Sequence, residues 1–520
     1  MRLAKAAGIG SRRLAFIFYG RRKRMDVLST RGKNNKMPAT KAVLAGIADD
    51  GGLFVPEFFP KIDLNEMAAY AAHEYDILAA RVMGMFFDLP YETMTAITQQ
   101  AYSTFDTSEV VPLKKIGDKE YVMELSHGPT LAFKDMALQV LPRLIKASLN
   151  IHNQQEDVLI LTATSGDTGK AALEGFKDVP HTAIIVFYPI DGVATMQKLQ
   201  MVTQEGDNVE VCGVEGNFDD AQTGVKALFA DEELARVLKT AGYTFSSANS
   251  INIGRLIPQV AYYIYAYSKL VANDEIELGQ EINFVVPTGN FGNILAGYYA
   301  KCMGLPIKKL VCASNKNNVL TDFFNDGGYN ANREFYKTMS PSMDILISSN
   351  LERLLFELSN RDEKTVKMLM NSLSLSGKYK ISDDMKKNLS DNFYADYCDE
   401  IETAATIKRM FDNHGYLIDT HTAVAQCVYE KYAEKTGDDA VSVVVSTANP
   451  YKFPQDVLCA ISDECIDDAF GAAELLSDIT QTEVPMQIRE LKEKPRMHNG
   501  VFEIGDLKKA VIDFLAEEGN

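Results

Sequence analysis

The segment Ser126-His127-Gly128-Pro129-Thr130-Leu131-Ala132-Phe133-Lys134-Asp135 sets one lysine on a loop just before an apolar helical pattern. An amine placed like Lys134 can form a Schiff base with an aldehyde cofactor, provided that its surroundings lower its pKa and that another element holds the cofactor's phosphate. Such an element lies far downstream at Pro287-Thr288-Gly289-Asn290-Phe291-Gly292-Asn293, between the apolar run Ile282 to Val286 and Ile294-Leu295-Ala296. This order reads as strand, glycine turn, helix. Glycines let backbone approach an anion, and the first free amides of the helix point at it. The segment lacks the Gly-x-x-x-x-Gly-Lys-Ser/Thr pattern of a nucleotide-binding loop. Standing alone it would be an ordinary tight turn.

A third loop, Thr162-Ala163-Thr164-Ser165-Gly166-Asp167-Thr168-Gly169-Lys170, again runs from an apolar strand into a helix. Its hydroxyls and amides suit a second anion such as a substrate carboxylate. Asp167 or Thr168 would equally serve as a helix cap.

Taken in order, these loops resemble those of the threonine synthase family, pyridoxal-phosphate enzymes of fold type II (the tryptophan synthase β superfamily). The resemblance runs from about Met25 to the end of the chain. It also rests on Ser29-Thr30-Arg31-Gly32, Asp50-Gly51-Gly52-Leu53-Phe54-Val55-Pro56, Asn249-Ser250-Ile251-Asn252-Ile253-Gly254-Arg255 and Ser446-Thr447-Ala448-Asn449-Pro450. Seven segments in family order are far more specific than any one of them.

The resemblance implies that Lys134 is the catalytic, Schiff-base lysine. It places Gly289, Asn290, Phe291, Gly292 and Asn293 at the cofactor phosphate, and Thr447 at the pyridine nitrogen, where a neutral hydroxyl moderates the electron sink. The implied substrate is O-phospho-L-homoserine and the products are L-threonine and phosphate. Lys134, once freed, would take the α proton; loss of a β proton would expel the γ phosphate, and water would add at Cβ. Arg255 is the candidate for the substrate phosphate, which a guanidinium can grip with two hydrogen bonds. Ser165, Asp167, Thr168 and Asn252 are its candidate companions. Two rivals remain: a phospholyase releasing 2-oxobutyrate and ammonia, and a silent cofactor-binding homologue.

Composition fits an enzyme of this kind without selecting it. The 520 residues exceed one ordinary domain. The hydrophobic fraction of 46% and charged fraction of 24% are those of globular proteins. A formal net charge of −18 argues against nonspecific nucleic-acid binding, though not against phosphorylated small molecules. Seven cysteines without a Cys-x-x-Cys pair read as buried free thiols, and neither they nor the seven histidines show metal-ligand spacing, so no metal is expected. His127 is either a pocket residue or a structural one. No stretch has the length of a membrane span. The expected protein is a cytoplasmic monomer acting on a small molecule.

Residues 1–24 carry eight basic and no acidic side chains. They read as a transit peptide or an upstream start; the second is preferred because Met25 begins the family-like sequence. Residues 25–107 are expected to form a small, mainly helical N-terminal domain, from the spacing in Met67 to Leu78 and Tyr91 to Tyr102. Residues 108–475 are expected to be the catalytic α/β region, with mostly parallel sheets covered by helices. Its strands are predicted at Val158 to Leu161, Ala183 to Phe187, Val209 to Val214, Ile282 to Val286, Leu310 to Ala313 and Val441 to Val445. A helical surface insertion is expected at Asn360 to Asp391. A tail over 476–520 is expected to end in a packing helix.

Overall fold

Runs such as Val158-Leu159-Ile160-Leu161 and Val443-Val444-Val445 offer no polar face, so strands built from them need cover on both sides. In the computed structural model, which describes residues 25–71, 74–164, 166–191, 193–462 and 464–518, these runs lie inside two separate sheets. Ser165 and the basic segment 1–24 lie outside the described residues.

One sheet has five parallel strands in the order Val501–Glu503, Val209–Glu215, Thr182–Pro189, Asp157–Ala163, Tyr243–Ser246. The other has six, in the order Phe393–Tyr397, Ile307–Ser314, Ile282–Pro287, Ser442–Ser446, Glu120–Glu124, Leu113–Gly117. Only the last pair of that sheet is antiparallel. All six predicted strands are present. The strands without a prediction are mostly short or at an edge, and Leu113–Gly117 exposes two lysines, a common protection against edge-to-edge pairing.

The two sheets are bridged by the helix Ile253–Ala272, which packs against helices Leu64–Ala71, Tyr75–Met83 and Gly292–Met303. Tyr262, Tyr263, Tyr265 and Tyr267 are all buried on it. Burying an aromatic ring of this size contributes about 2 kcal/mol where its hydroxyl keeps a partner, as those of Tyr262 and Tyr263 do on Asn293, so this helix is a main support of the core.

Among the described residues the N-terminal region holds the helices Ala39–Ala45, Leu64–Ala71, Tyr75–Met83 and Tyr91–Tyr102. It also holds an antiparallel sheet in the order Gly32–Pro38, Asp26–Ser29, Phe54–Pro56. That sheet was not expected, because its strands are short and the first is mostly polar. The run Met67 to Leu78 divides between two helices, with Glu74 extended ahead of the second.

The insertion between Asn360 and Asp391 is helical as expected, over Glu363–Ser376 and Asp383–Asn392, yet it is tied into the body. Its strand Lys378–Lys380 pairs with Gly328–Asn330, and Tyr379 stacks on Tyr329 with ring centroids 5.0 Å apart. The tail helix Leu507–Glu518 packs on the five-stranded sheet's outer helices through Leu507, Val511 and Phe514. One expectation is corrected. Cys459 and Cys465 are joined by a disulfide, since the end of helix Pro454–Ile461 folds back on the following turn. The other five cysteines are free thiols.

Candidate functional site

Lys134 stands at the N-terminus of the short helix Asp135–Leu138, directly after the strand Glu120–Glu124 and its loop. Backbone hydrogen bonds stitch this loop to the end of strand Ser442–Ser446. Leu125 N–H donates to Ser446 O at 3.0 Å, Phe133 N–H to Thr447 O at 2.8 Å, and Asn449 N–H to Leu131 O at 3.0 Å. Lys134 and Thr447 are thereby fixed to one another. Asp135 closes the loop by accepting from Thr130 N–H at 2.8 Å and Thr130 Oγ1 at 2.7 Å. Gly128 is required there, because a Cβ would stand 2.4 Å from the Asp135 carboxylate.

The Lys134 amine donates to Ser342 Oγ at 3.2 Å and lies 3.6 Å from Asp167 Oδ2. Burial brings its pKa down to about 8; Lys452 and Arg255 push the same way and Asp167 opposes them. A lysine in this state is a usable nucleophile and proton carrier near neutral pH.

At Pro287–Asn293 the chain leaves strand Ile282–Pro287 and enters helix Gly292–Met303. Gly289 faces Ser342 O so closely that a Cβ would lie 2.7 Å from it. Phe291 has φ +64 and caps the helix; its ring packs inward near Phe324 and Phe393, so the residue offers the site only backbone. Asn290 is exposed, and its carbonyl accepts from Asn350 N–H at 3.1 Å and Asn350 Nδ2 at 2.9 Å. Asn293 Oδ1 accepts from Tyr262 and Tyr263 hydroxyls, each at 2.6 Å, which leaves its buried Nδ2 without a partner. A glycine cradle, a helix N-terminus and a buried orphan donor together suit a phosphate.

Arg255 lies in the first turn of helix Ile253–Ala272, only 4% exposed. Its Nη1 donates to Ala248 O at 2.9 Å, while its buried Nε has no partner. Among the described residues no carboxylate pairs with it, and burial brings its pKa down to about 10. A buried guanidinium without an acid is costly unless an anion completes it.

Two candidates have their polar atoms engaged within the protein. Asn252 is fully buried and its polar atoms are engaged: Nδ2 donates to Val43 O and Ser247 O, and Oδ1 accepts from Gly254 N–H. It caps the helix that carries Arg255 and so helps to position that residue. Asp167 is a carboxylate held well below its usual range. Burial alone would raise its pKa, but Lys452 and Lys134 outweigh that. Within the protein its oxygens pair with the two lysines. Thr168 is half-buried in the first turn of helix Asp167–Phe176.

Several residues at the site carried no sequence signal. Ser342, in the turn Pro341–Met343, accepts from Lys134 and donates to Asp167 Oδ2 at 3.3 Å. Its own N–H donates to His421 Nε2 at 3.1 Å, so the His421 Nδ1 proton goes to Asp419 Oδ1 at 2.9 Å. The buried Arg353 donates to Phe54 O at 2.9 Å and also bonds Asn350 Oδ1 and Ile251 O. It thus joins the N-terminal sheet to the segment that holds Asn290. Beside it Glu352 takes Arg31 through two hydrogen bonds, 2.9 and 2.7 Å, which accounts for the Ser29–Gly32 motif. The fold also gathers Cys398, Glu402 and Cys427, whose ligand atoms lie within 4.8 Å of one another. Glu402 is committed to Asp399 N–H and Lys431, and no metal is assigned there.

His127 is structural. It bridges Asp106 Oδ1 at 2.7 Å and Glu124 Oε2 at 2.9 Å. Burial works against its charge, but the two carboxylates raise its pKa to about 9. The unfolded value is about 6.5. The folded state therefore binds the proton more tightly, and the gain is complete below pH 6.5 and lost as pH rises through 9. His127→Gln should cost about 1 kcal/mol more at pH 6 than at pH 10, read from urea unfolding at both.

Comparison with known proteins agrees with this geometry. Residues 27–102 match the model of the threonine synthase N terminus, 107–448 that of pyridoxal-phosphate dependent enzymes, and 422–511 that of the threonine synthase C-terminal region. Threonine synthase of Pseudomonas aeruginosa is 38% identical over 83% of this chain and 90% of its own. The chain belongs to the threonine synthase family. Among the family's solved structures, the pyridoxal-phosphate-bound threonine synthase of Brucella melitensis superposes with a TM-score of 0.84 at 37% identity, over 95% of this chain and 99% of that one. The yeast threonine synthase structure gives 0.85 at 32% identity, over 95% and 99%. Human threonine synthase-like 1 is 39% identical over 82% of this chain, which spans only 58% of that protein. The cofactor is accordingly pyridoxal phosphate, and the glycine cradle with the orphan Asn293 amide fits its phosphate.

Proposed function

We propose that this chain converts O-phospho-L-homoserine and water to L-threonine and phosphate. The buried, acid-free Arg255 carries this reading, because it supplies a second anion site close enough to Lys134 for its charge to act on the amine. Gly289, Asn290, Phe291, Gly292 and Asn293 would hold the cofactor's phosphate and Thr447, 5% exposed, its ring nitrogen. When bound, pyridoxal phosphate supplies an electron sink for the carbon next to the substrate's amine. Lys134 Nζ takes and returns the protons at the substrate's carbons, and its pKa of about 8 keeps both its protonated and free forms accessible near neutral pH. Ser342 Oγ and Asp167 Oδ2 give the amine a fixed place whenever it is free. Arg255 grips the phosphate that leaves, with Thr168 near the substrate's other end. Among the described residues no helix is long and apolar enough to cross a membrane; with this function we place a monomer in the cytoplasm.

The test is incubation of the full chain and pyridoxal phosphate with O-phospho-L-homoserine, measuring threonine, 2-oxobutyrate and phosphate together. Threonine equal to phosphate is the expected result. Phosphate matched by 2-oxobutyrate would replace the synthase with a phospholyase, and no phosphate at all would sink both.

A further inference from the structure

Lys452 is the least expected charge in the site. It lies in the short turn Pro450–Lys452, just past Thr447, and is 2% exposed. Its ammonium is 2.9 Å from Asp167 Oδ1 and donates to Thr130 O at 2.8 Å and more distantly to Gln200 Oε1 at 3.4 Å. Gln197 Nε2 donates to the same Asp167 oxygen at 2.9 Å. The other oxygen, Oδ2, faces Ser342 Oγ at 3.3 Å and Lys134 Nζ at 3.6 Å. One buried carboxylate therefore sits between two lysines, with its oxygens divided between them.

We propose that Lys452 is a positioning residue which, by holding Asp167 Oδ1, keeps that carboxylate from pairing fully with Lys134 and so sets the fraction of Lys134 present as free amine. Two buried cations cannot both be neutralised by one carboxylate. Lys452 has the shorter contact and two further acceptors; Lys134 has the longer contact and one serine. The closer pairing directs the carboxylate toward Lys452, which leaves Lys134 with the weaker share of its negative charge. The remaining groups around Lys134 act in the same sense or are neutral. Arg255, from helix Ile253–Ala272, adds positive charge; Ser342 offers only a hydroxyl, and the Phe133 ring lies 6.0 Å away. His421, on helix Thr420–Thr436, accepts from Ser342 N–H and so points its unprotonated nitrogen at this turn. Lys134 would then be kept reactive by a charge distribution, with no dedicated base needed to deprotonate it.

The effect falls on Lys134 alone and is read without substrate. Pyridoxal phosphate is added to the full chain at a series of pH values, and its capture rate by Lys134 is followed by absorbance and by borohydride reduction. The rate rises with the fraction of free amine. In Lys452→Met the midpoint of that rise should move up by about one pH unit, with capture near pH 7 slowed about tenfold. In Asp167→Asn it should move down by about as much. The double variant, which removes both halves of the buried pair, should fold and return to within about half a unit of the parent. Lys452→Arg should restore the parental midpoint. Should Lys452→Met not fold, Lys452→Gln makes the same test. Single-variant midpoints that stay put, or that move in one direction together, overturn the proposal. A slower rate with an unmoved midpoint means that Lys452 merely supports the fold. Neither result depends on which substrate the enzyme uses.

Discussion

Lys134→Ala should lose turnover by about ten-thousand-fold or more, because the proposed function makes this residue at once the cofactor's covalent attachment and the proton carrier. The loss should appear in kcat and should not be recovered by more substrate. The cofactor should still bind through the glycine loop, since Gly289, the helix N-terminus and the Asn293 amide do not depend on the lysine. It should no longer be fixed by borohydride, and mass analysis of the peptide holding residue 134 checks that directly. The loop should keep its shape, because Asp135, Thr130 and the backbone bonds to Thr447 and Leu131 remain. A Lys134→Ala protein with ordinary turnover would remove Lys134 from the chemistry altogether.

Arg255→Met should leave cofactor capture intact and lower kcat/KM for O-phospho-L-homoserine by about a thousandfold, equivalent to about 4 kcal/mol of transition-state binding. The size is that of losing the proposed charge-assisted, two-bonded grip on a phosphate to an apolar chain. Inorganic phosphate should inhibit the parent competitively and the variant hardly at all. Stability should behave in the opposite way to activity. Arg255 holds a buried charge with one carbonyl partner and an unbonded Nε, so methionine relieves a desolvation cost while leaving only Ala248 O unpaired. The melting temperature should therefore hold or rise. Unchanged kinetics in Arg255→Met would take this residue out of the phosphate site, whereas a large fall in melting temperature would make it a structural residue.

Most of the framework was legible before any fold was known. Lys134 and the loops at Ser165 and Gly289 announce themselves because turns that approach an anion need glycines and small polar residues in unbroken order, and because apolar runs mark the strands that feed them. Helix caps are more ambiguous. Asn252 and Arg255 stand three residues apart in one motif, yet one secures the helix and the other faces the site. Sequence order cannot separate them, because both are polar residues at a helix start; their hydrogen bonds do.

The sequence by itself determined the strand-loop-helix units and singled out Lys134 and the glycine loop as candidates, because each lies within a short stretch of chain. Tertiary structure alone decided what surrounds that lysine. Ser342 comes from a turn with no motif, His421 and Asp419 from the start of a late helix, and Lys452 from beyond the last recognised loop. These side chains meet because parallel strands bring their carboxyl ends to one edge, an arrangement without any signature in residue spacing. The division of Asp167 between Lys134 and Lys452 is likewise a property of the packed site. The pKa of a buried amine depends on distances of 3 to 4 Å to charges far away in sequence, and only the folded chain fixes those distances.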